Sequence, residues 1–274
     1  MDLLRLRQPE IQRKDNHLLC GVQLLLVLFC FWPGNSYPSD VHDPCCFVID
    51  KLKNNNVVLL GTVHQRPAIL GFISKLIPKL SDAGVTHIGL EIASDQQPNI
   101  DRFMKQESPL ADIEIFPIID CPEYRCLFEV IRNHGVETVA LDLPFSMWES
   151  GYTRDNWIAK NISTIFDENP QAKIFVIVGS LHTLKKVEWL TTPHNARSYI
   201  RGYLSEYQPH LKVCSIAASI DNPSKQADSG KVSEKSRKPV ALDAKDLDLD
   251  LTLLKILAIK PIPTHEAVDA VIVY

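Results

Sequence analysis

Two histidines in this chain stand at matching places. Val57-Val58-Leu59-Leu60-Gly61-Thr62-Val63-His64 carries four apolar residues into Gly-x-x-His, and Ile174-Phe175-Val176-Ile177-Val178-Gly179-Ser180-Leu181-His182 repeats the order. Two carboxylates close other apolar runs, Glu91 in His87-Ile88-Gly89-Leu90-Glu91-Ile92 and Asp142 in Val136-Glu137-Thr138-Val139-Ala140-Leu141-Asp142. Imidazole nitrogen with carboxylate oxygen is a donor set that a divalent metal takes in a catalytic site while keeping a place for water. The candidate metal ligands are therefore His64, His182, Glu91 and Asp142. A metal there would acidify bound water and polarise a carbonyl, leaving a free carboxylate as general base. Without metal, a His paired with Glu could still activate water.

The elements that must position these groups follow from periodicity. Runs of β-branched and aliphatic residues without polar alternation suit strands buried on both faces. Between them, Pro67 to Leu80 carries Ile69, Leu70, Ile73, Leu76, Ile77 and Leu80 at helical spacing. The pattern predicts a short helix over 98–106, an extended piece over 113–119 and a helix over 123–134 capped by Gly135. It predicts another helix entered at Thr153, whose hydroxyl can cap it, and a further one from Leu184. Residues 211–220 and 268–274 read as strands, the last as an edge. The alternation of strand and helix predicts an α/β domain with a mainly parallel mixed sheet covered by helices on both faces. The candidate residues then gather beyond the carboxyl ends of strands, where loops are free to carry polar groups.

The amino-terminal part differs from the rest. Arg5, Arg7, Arg13 and Lys14 precede the apolar run Leu18 to Trp32, closed by Pro33-Gly34. That run is shorter than the roughly 20 residues a spanning helix needs and suits a signal h-region ahead of a small-residue cleavage site. Residues 1–36 are thus expected to be a signal peptide or membrane anchor, which makes the protein exported or tethered. Residues 37–220 are expected to be the core, 221–245 a flexible Ser/Lys/Asp-rich insertion, and 246–274 a helix and strand completing the core.

Composition excludes some functions. With 29 Lys plus Arg against 33 Asp plus Glu, the formal net charge is -4, which offers no broad basic field for nucleic acid. Cleavage after Ser36 leaves Cys45, Cys46, Cys121, Cys126 and Cys214, an odd number, so one or two disulfides leave a thiol over. Cys121-Pro-Glu-Tyr-Arg-Cys126 is neither a redox Cys-x-x-Cys nor a zinc knuckle. Ser180 lacks the Gly-x-Ser-x-Gly elbow of a nucleophilic serine. Arg154 and Asp155 either pair with each other in the first turn of their helix, or Arg154 reaches the site to hold an anionic group.

The order of these motifs resembles a known superfamily. Gly61-Thr62-Val63-His64, Leu90-Glu91-Ile92 followed by Gln96-Gln97, Arg154-Asp155-Asn156-Trp157-Ile158-Ala159-Lys160-Asn161-Ile162, Val178-Gly179-Ser180-Leu181-His182 and the terminal Asp269-Ala270-Val271-Ile272 are similar to motifs of the erythromycin esterase, ChaN-like haem-binding, TraB and Tiki superfamily. The resemblance implies a mixed α/β core whose pocket is lined by His64, Glu91, Arg154, Asp155 and His182. It also implies alternative chemistries, since Tiki proteins are metal-dependent proteases, erythromycin esterases open a lactone with His and Glu, and ChaN-like proteins bind haem. The chain departs from the larger esterases in being short, and Leu28-Phe29-Cys30 is not a lipobox. The leading expectation is an exported hydrolase acting on a small molecule or peptide, with Glu91 activating water and Arg154 orienting an oxygen. A haem- or iron-binding protein and a catalytically silent interaction domain are the alternatives.

Overall fold

The computed structural model describes residues 42–186, 199–219, 239–247 and 262–274. Residues 1–36, with the expected signal peptide or anchor, most of the expected insertion and residues 248–261, where the C-terminal helix is expected, lie outside the described residues. Among the described residues no helix is long and apolar enough to cross a membrane.

The chain runs α1 (Pro44–Asn54), β1 (Val57–Thr62), α2 (Pro67–Leu80), β2 (His87–Ala93), α3 (Gln97–Met104), α4 (Pro122–His134), β3 (Glu137–Asp142), α5 (Arg154–Glu168), β4 (Ile174–Gly179), α6 (Ile200–Tyr207), β5 (Val213–Ser219), β6 (Val240–Asp243), α7 (Thr264–Ala267) and β7 (Ala270–Val273). The strands form one seven-stranded sheet in the order β3-β2-β4-β1-β5-β7-β6. All neighbours are parallel except β6, which runs antiparallel to β7. The expected α/β class, with a mainly parallel mixed sheet, is what the chain adopts.

Why helices cover both faces is visible in β1. Val58 and Leu60 point into a core shared with α1, α2 and α4, while Val57 and Leu59 point into one shared with α5 and α6. Alternate side chains of a strand face opposite ways, so a strand with no polar position must be covered twice. Side chains such as Ile69, Ile73, Leu76 and Ile77 on α2 are fully buried, each contributing roughly 1.5–3 kcal/mol of apolar transfer.

Strand order also opens the site. The connection leaving β1 travels over one face through α2 to β2, while that leaving β4 travels over the other through α6 to β5. β1 and β4 are neighbours, so their exits diverge, which makes this the topological switch point where open α/β sheets take ligands. Both Gly-x-x-His motifs leave these two strands.

Several local expectations change. Residues 113–119 form no ladder; they cover the core with Ile113, Ile115, Phe116 and Ile119 and are pinned by the Glu114 N–H, which donates to Gln96 Oε1 at 3.0 Å. Residues 184–186 are not helical, because Ser180–Thr183 closes in a 3-10 turn and Leu184 is extended; residues 187–190 lie outside the described residues. The last strand is not an edge. Val240–Asp243, inside the expected insertion, pairs beyond it. The other edge, β3, is partly sealed by Gln97, whose Nε2 donates to the Thr138 carbonyl at 2.9 Å while its Oε1 accepts from the Ala140 N–H at 2.7 Å. All five described cysteines are free thiols.

Candidate functional site

The two glycine motifs interlock. A Cβ on Gly61 would lie 2.8 Å from the Ser180 Cα, and one on Gly179 would lie 2.9 Å from His64 Cε1 and 3.1 Å from Nε2. Each motif needs its glycine because the other motif passes over it. The His64 ring is thereby laid across the end of β4, with its Nδ1 buried and without a hydrogen-bond partner among the described residues. Gln65 follows in a left-handed conformation, φ 54°, and its amide donates to the carbonyls of Pro117 and Asp120 at 3.1 and 3.4 Å.

Glu91 and Asp142 project from adjacent strands whose register shifts between Leu90 and Ala93. They are 3% and 0% exposed, and carboxylates buried this far need partners. Arg154, the first residue of α5, supplies them. Its Nη2 donates to Glu91 Oε1 at 2.6 Å, its Nε donates to Asp142 Oδ1 and Oδ2 at 3.0 and 3.1 Å, and Nη2 also bonds Asp142. Burial opposes the guanidinium's charge, but Asp142 and Glu91 outweigh it and raise its pKa. The second Glu91 oxygen accepts from the Gly179 N–H at 2.6 Å, and Asp142 Oδ1 accepts from the Leu143 N–H at 2.7 Å.

Arg154 and Asp155 do not pair as neighbours. Asp155, itself buried, bonds Nδ1 of His182 in the 3-10 turn that follows β4, while His182 Nε2 lies 3.6 Å from Glu91 Oε1. Burial pulls the His182 imidazole down, but the Asp155 bond and charge, with Glu91 behind them, more than reverse this and raise its pKa. Burial pushes the Asp155 carboxyl up against the pull of His182.

The rest of the Arg154-to-Ile162 motif is a clamp. Thr153 Oγ1 accepts from the Asn156 N–H at 3.2 Å and caps the helix, the Trp157 indole donates to Ser94 Oγ at 2.9 Å just past β2, and Asn161 donates to the Leu141 carbonyl of β3 at 2.9 Å. These bonds fix α5 over the two strands whose carboxylates Arg154 holds. Ser180 is a support: its hydroxyl donates to the Thr62 carbonyl at 3.1 Å.

His64, Glu91, Asp142, Arg154, Asp155 and His182 therefore converge, but His64, His182, Glu91 and Asp142 do not fit a metal. The Arg154 cation already holds both carboxylates, and His182 is turned onto Asp155. Among the described residues no group of three or more His, Cys, Asp or Glu is arranged to hold an ion. Imidazole and carboxylate types at strand ends suggest a metal until the interposed arginine is seen.

Some neighbours had no signal in spacing. Tyr124, inward on α4, has a buried hydroxyl without a hydrogen-bond partner among the described residues; burial, then the charges of Glu91 and Asp142, hold its phenol pKa far above the usual range. Phe116 lies under Arg154, whose guanidinium carbon is 5.6 Å from the ring centroid. Phe116 contacts Phe145 edge-on at 4.9 Å, and Phe145 meets Trp148 at 4.8 Å. Phe145 and Trp148 are 50% and 54% exposed, an apolar shelf beside a cation.

The doubly covered sheet that carries the paired histidines at its switch point is an arrangement that known proteins share. Residues 48–150 match the family described as haem-binding uptake, Tiki superfamily, ChaN. The fold is similar to that of a Bacillus cereus protein of solved structure, with TM-score 0.54 and 13% identity over 82% of this chain and 90% of that one. It is also similar to a mutant of the erythromycin esterase EreC in its open conformation, at 0.53 and 11% over 83% and 92%. ChaN of Campylobacter jejuni, solved in work on cofacial haem binding, aligns at 0.48 and 14% over 83% and 91%. No curated protein matches the chain. The match over residues 48–150 bears out the resemblance to the ChaN and Tiki superfamily read from motif order, and the likeness to the erythromycin esterase is one of fold.

Proposed function

We propose that this protein is an exported hydrolase that attacks an ester or amide carbonyl of a small molecule or peptide by metal-free acid–base chemistry. The observation that supports it is the Asp155–His182 pair set beside the Arg154 clamp. A carboxylate on Nδ1 selects the tautomer that leaves Nε2 free to take a proton, the arrangement by which a histidine activates water or another nucleophile. His182 is the base in this reading. Both Glu91 oxygens are engaged, so Glu91 orients Arg154 and the end of β4 instead of activating water. Arg154, one-third exposed as a side chain, keeps an edge of its guanidinium for the carbonyl oxygen or an anionic group of the substrate. His64, laid across the end of β4, polarises or positions the substrate. His182→Ala and His64→Ala proteins, checked for an intact fold by circular dichroism, are expected to lose hydrolysis of a panel of nitrophenyl esters and peptides; full activity in both removes the reading.

The aromatic shelf favours a second reading, haem binding. Phe145 and Trp148 offer an exposed apolar surface beside Arg154, which suits a macrocycle carrying propionates. His64 and the part-exposed Tyr152 are the side chains of the kind that ligate haem iron, and haem there would supply an iron centre tuned by its axial ligand. Haem titration should then give a Soret band that weakens in Phe145→Ala and Trp148→Ala; no band in the unaltered protein excludes it.

A further inference from the structure

A second concavity, lined in part by His265, shares no residue with the site of His64 and His182. It has a volume of about 410 Å³ and is lined by the amino ends of β5 and β7, the carboxyl end of β6, and side chains from α1, α6 and α7. Its charges are arranged around two carboxylates. Asp269 accepts from Lys185 Nζ at 2.8 Å and Arg201 Nη1 at 2.5 Å, and its Oδ2 also accepts from the Ser215 N–H at 2.8 Å. Asp243 accepts from Lys51 Nζ at 3.0 Å, with Lys245 Nζ 3.9 Å away. Each carboxylate thus serves two cations, so the cavity keeps an excess of two positive charges within a chain whose formal net charge is -4.

The walls do not cancel that excess. Burial pushes the Asp269 carboxyl up, but Lys185, the Ser215 N–H and Arg201 outweigh it and hold it below the usual range, so it is ionised and already counted. Burial, then the charge of Asp269, pushes the Cys214 thiol up to about 12, so it adds no negative charge. Like charges held in a partly desolvated hollow raise the local positive potential and draw in an anion.

We propose that this cavity binds a small phosphate-bearing molecule. A phosphate monoester carries roughly -1.5 to -2 at neutral pH and three acceptor oxygens, which matches the excess of two charges, whereas a monocarboxylate matches half of it. Lysines serve phosphate as point charges, and the guanidinium of Arg201 has donors beyond the one on Asp269. The volume lies in the range of small-ligand sites, roughly 300–1,000 Å³, which leaves room for more than the phosphate itself.

The test is calorimetric titration of the full chain with inorganic phosphate and with pyrophosphate. Lys245 stands at the rim, its side chain 73% exposed, so Lys245→Glu alters the cavity's charge without disturbing the core. The change of two charges should weaken binding roughly thirtyfold, the equivalent of about 2 kcal/mol. Lys105→Glu on an exposed position away from the cavity alters the net charge equally and should leave binding unchanged. Absence of binding to the unaltered protein, undiminished binding in Lys245→Glu, or an equal loss in Lys105→Glu would each overturn the proposal. The readout is independent of hydrolysis and of the histidine site.

Discussion

The ring of His64 rests on Gly179, so the last residue of one site strand fixes the histidine that follows the other. Gly179→Ala puts a Cβ 2.9 Å from the ring, and a side-chain ring can swing away. The expected outcome is a loss of activity of about tenfold or more with a modest stability change, at the low end of the roughly 1–3 kcal/mol typical of overpacking. Gly61→Ala differs because it meets the Ser180 Cα and, at 3.2 Å, the Ile216 carbonyl. Backbone must move there, so its melting temperature should fall further than that of Gly179→Ala, as thermal unfolding of the two proteins will show.

Removing Arg154 strands two buried carboxylates. Arg154→Met should cost about 3 kcal/mol in urea unfolding, the lower end expected for breaking a buried pair, because the arginine itself is partly exposed to solvent. Adding Asp142→Asn should recover part of that loss, since the two changes act on one interaction and do not add. A double variant as unstable as the sum of the singles would show that Arg154 serves something other than these charges.

His182 links stability to pH. Its folded pKa is raised above the ordinary 6.5, so folding favours the protonated ring. That contribution is complete below about pH 6.5 and is lost as pH rises through the folded value. The stability difference between the unaltered protein and His182→Gln should therefore be largest at mildly acidic pH and shrink on going alkaline. A difference that is flat or grows with pH contradicts the assigned pairing with Asp155.

The parts of this fold legible from residues alone were those a single segment decides. The unbroken apolar runs of β1, β2 and β4 marked doubly covered strands, and the glycine motifs marked where they end. What a segment cannot show is its neighbour. That Arg154 would reach Glu91 and Asp142 while Asp155 turned to His182 depends on strand order and on how α5 is clamped by Trp157 and Asn161. The donor types suggested a metal, and the cation that holds Glu91 and Asp142 in this structure is an arginine. Val240–Asp243 is four residues beside a polar stretch, too short to announce an edge strand, so β7 looked terminal. Residues 113–119 read as an extended piece, and they cover the core without pairing to a strand among the described residues.

The central claim, that His182 oriented by Asp155 is the base of a hydrolytic site, is tested most directly by the pH dependence of ester hydrolysis. The unaltered protein should gain activity with an apparent midpoint above pH 6.5, reflecting the raised imidazole pKa. Asp155→Asn should move that midpoint downward and reduce the rate by roughly 10²–10⁴, the range for general-base catalysis. A midpoint and rate unchanged in Asp155→Asn, or a folded protein that hydrolyses no ester or peptide, would contradict the account.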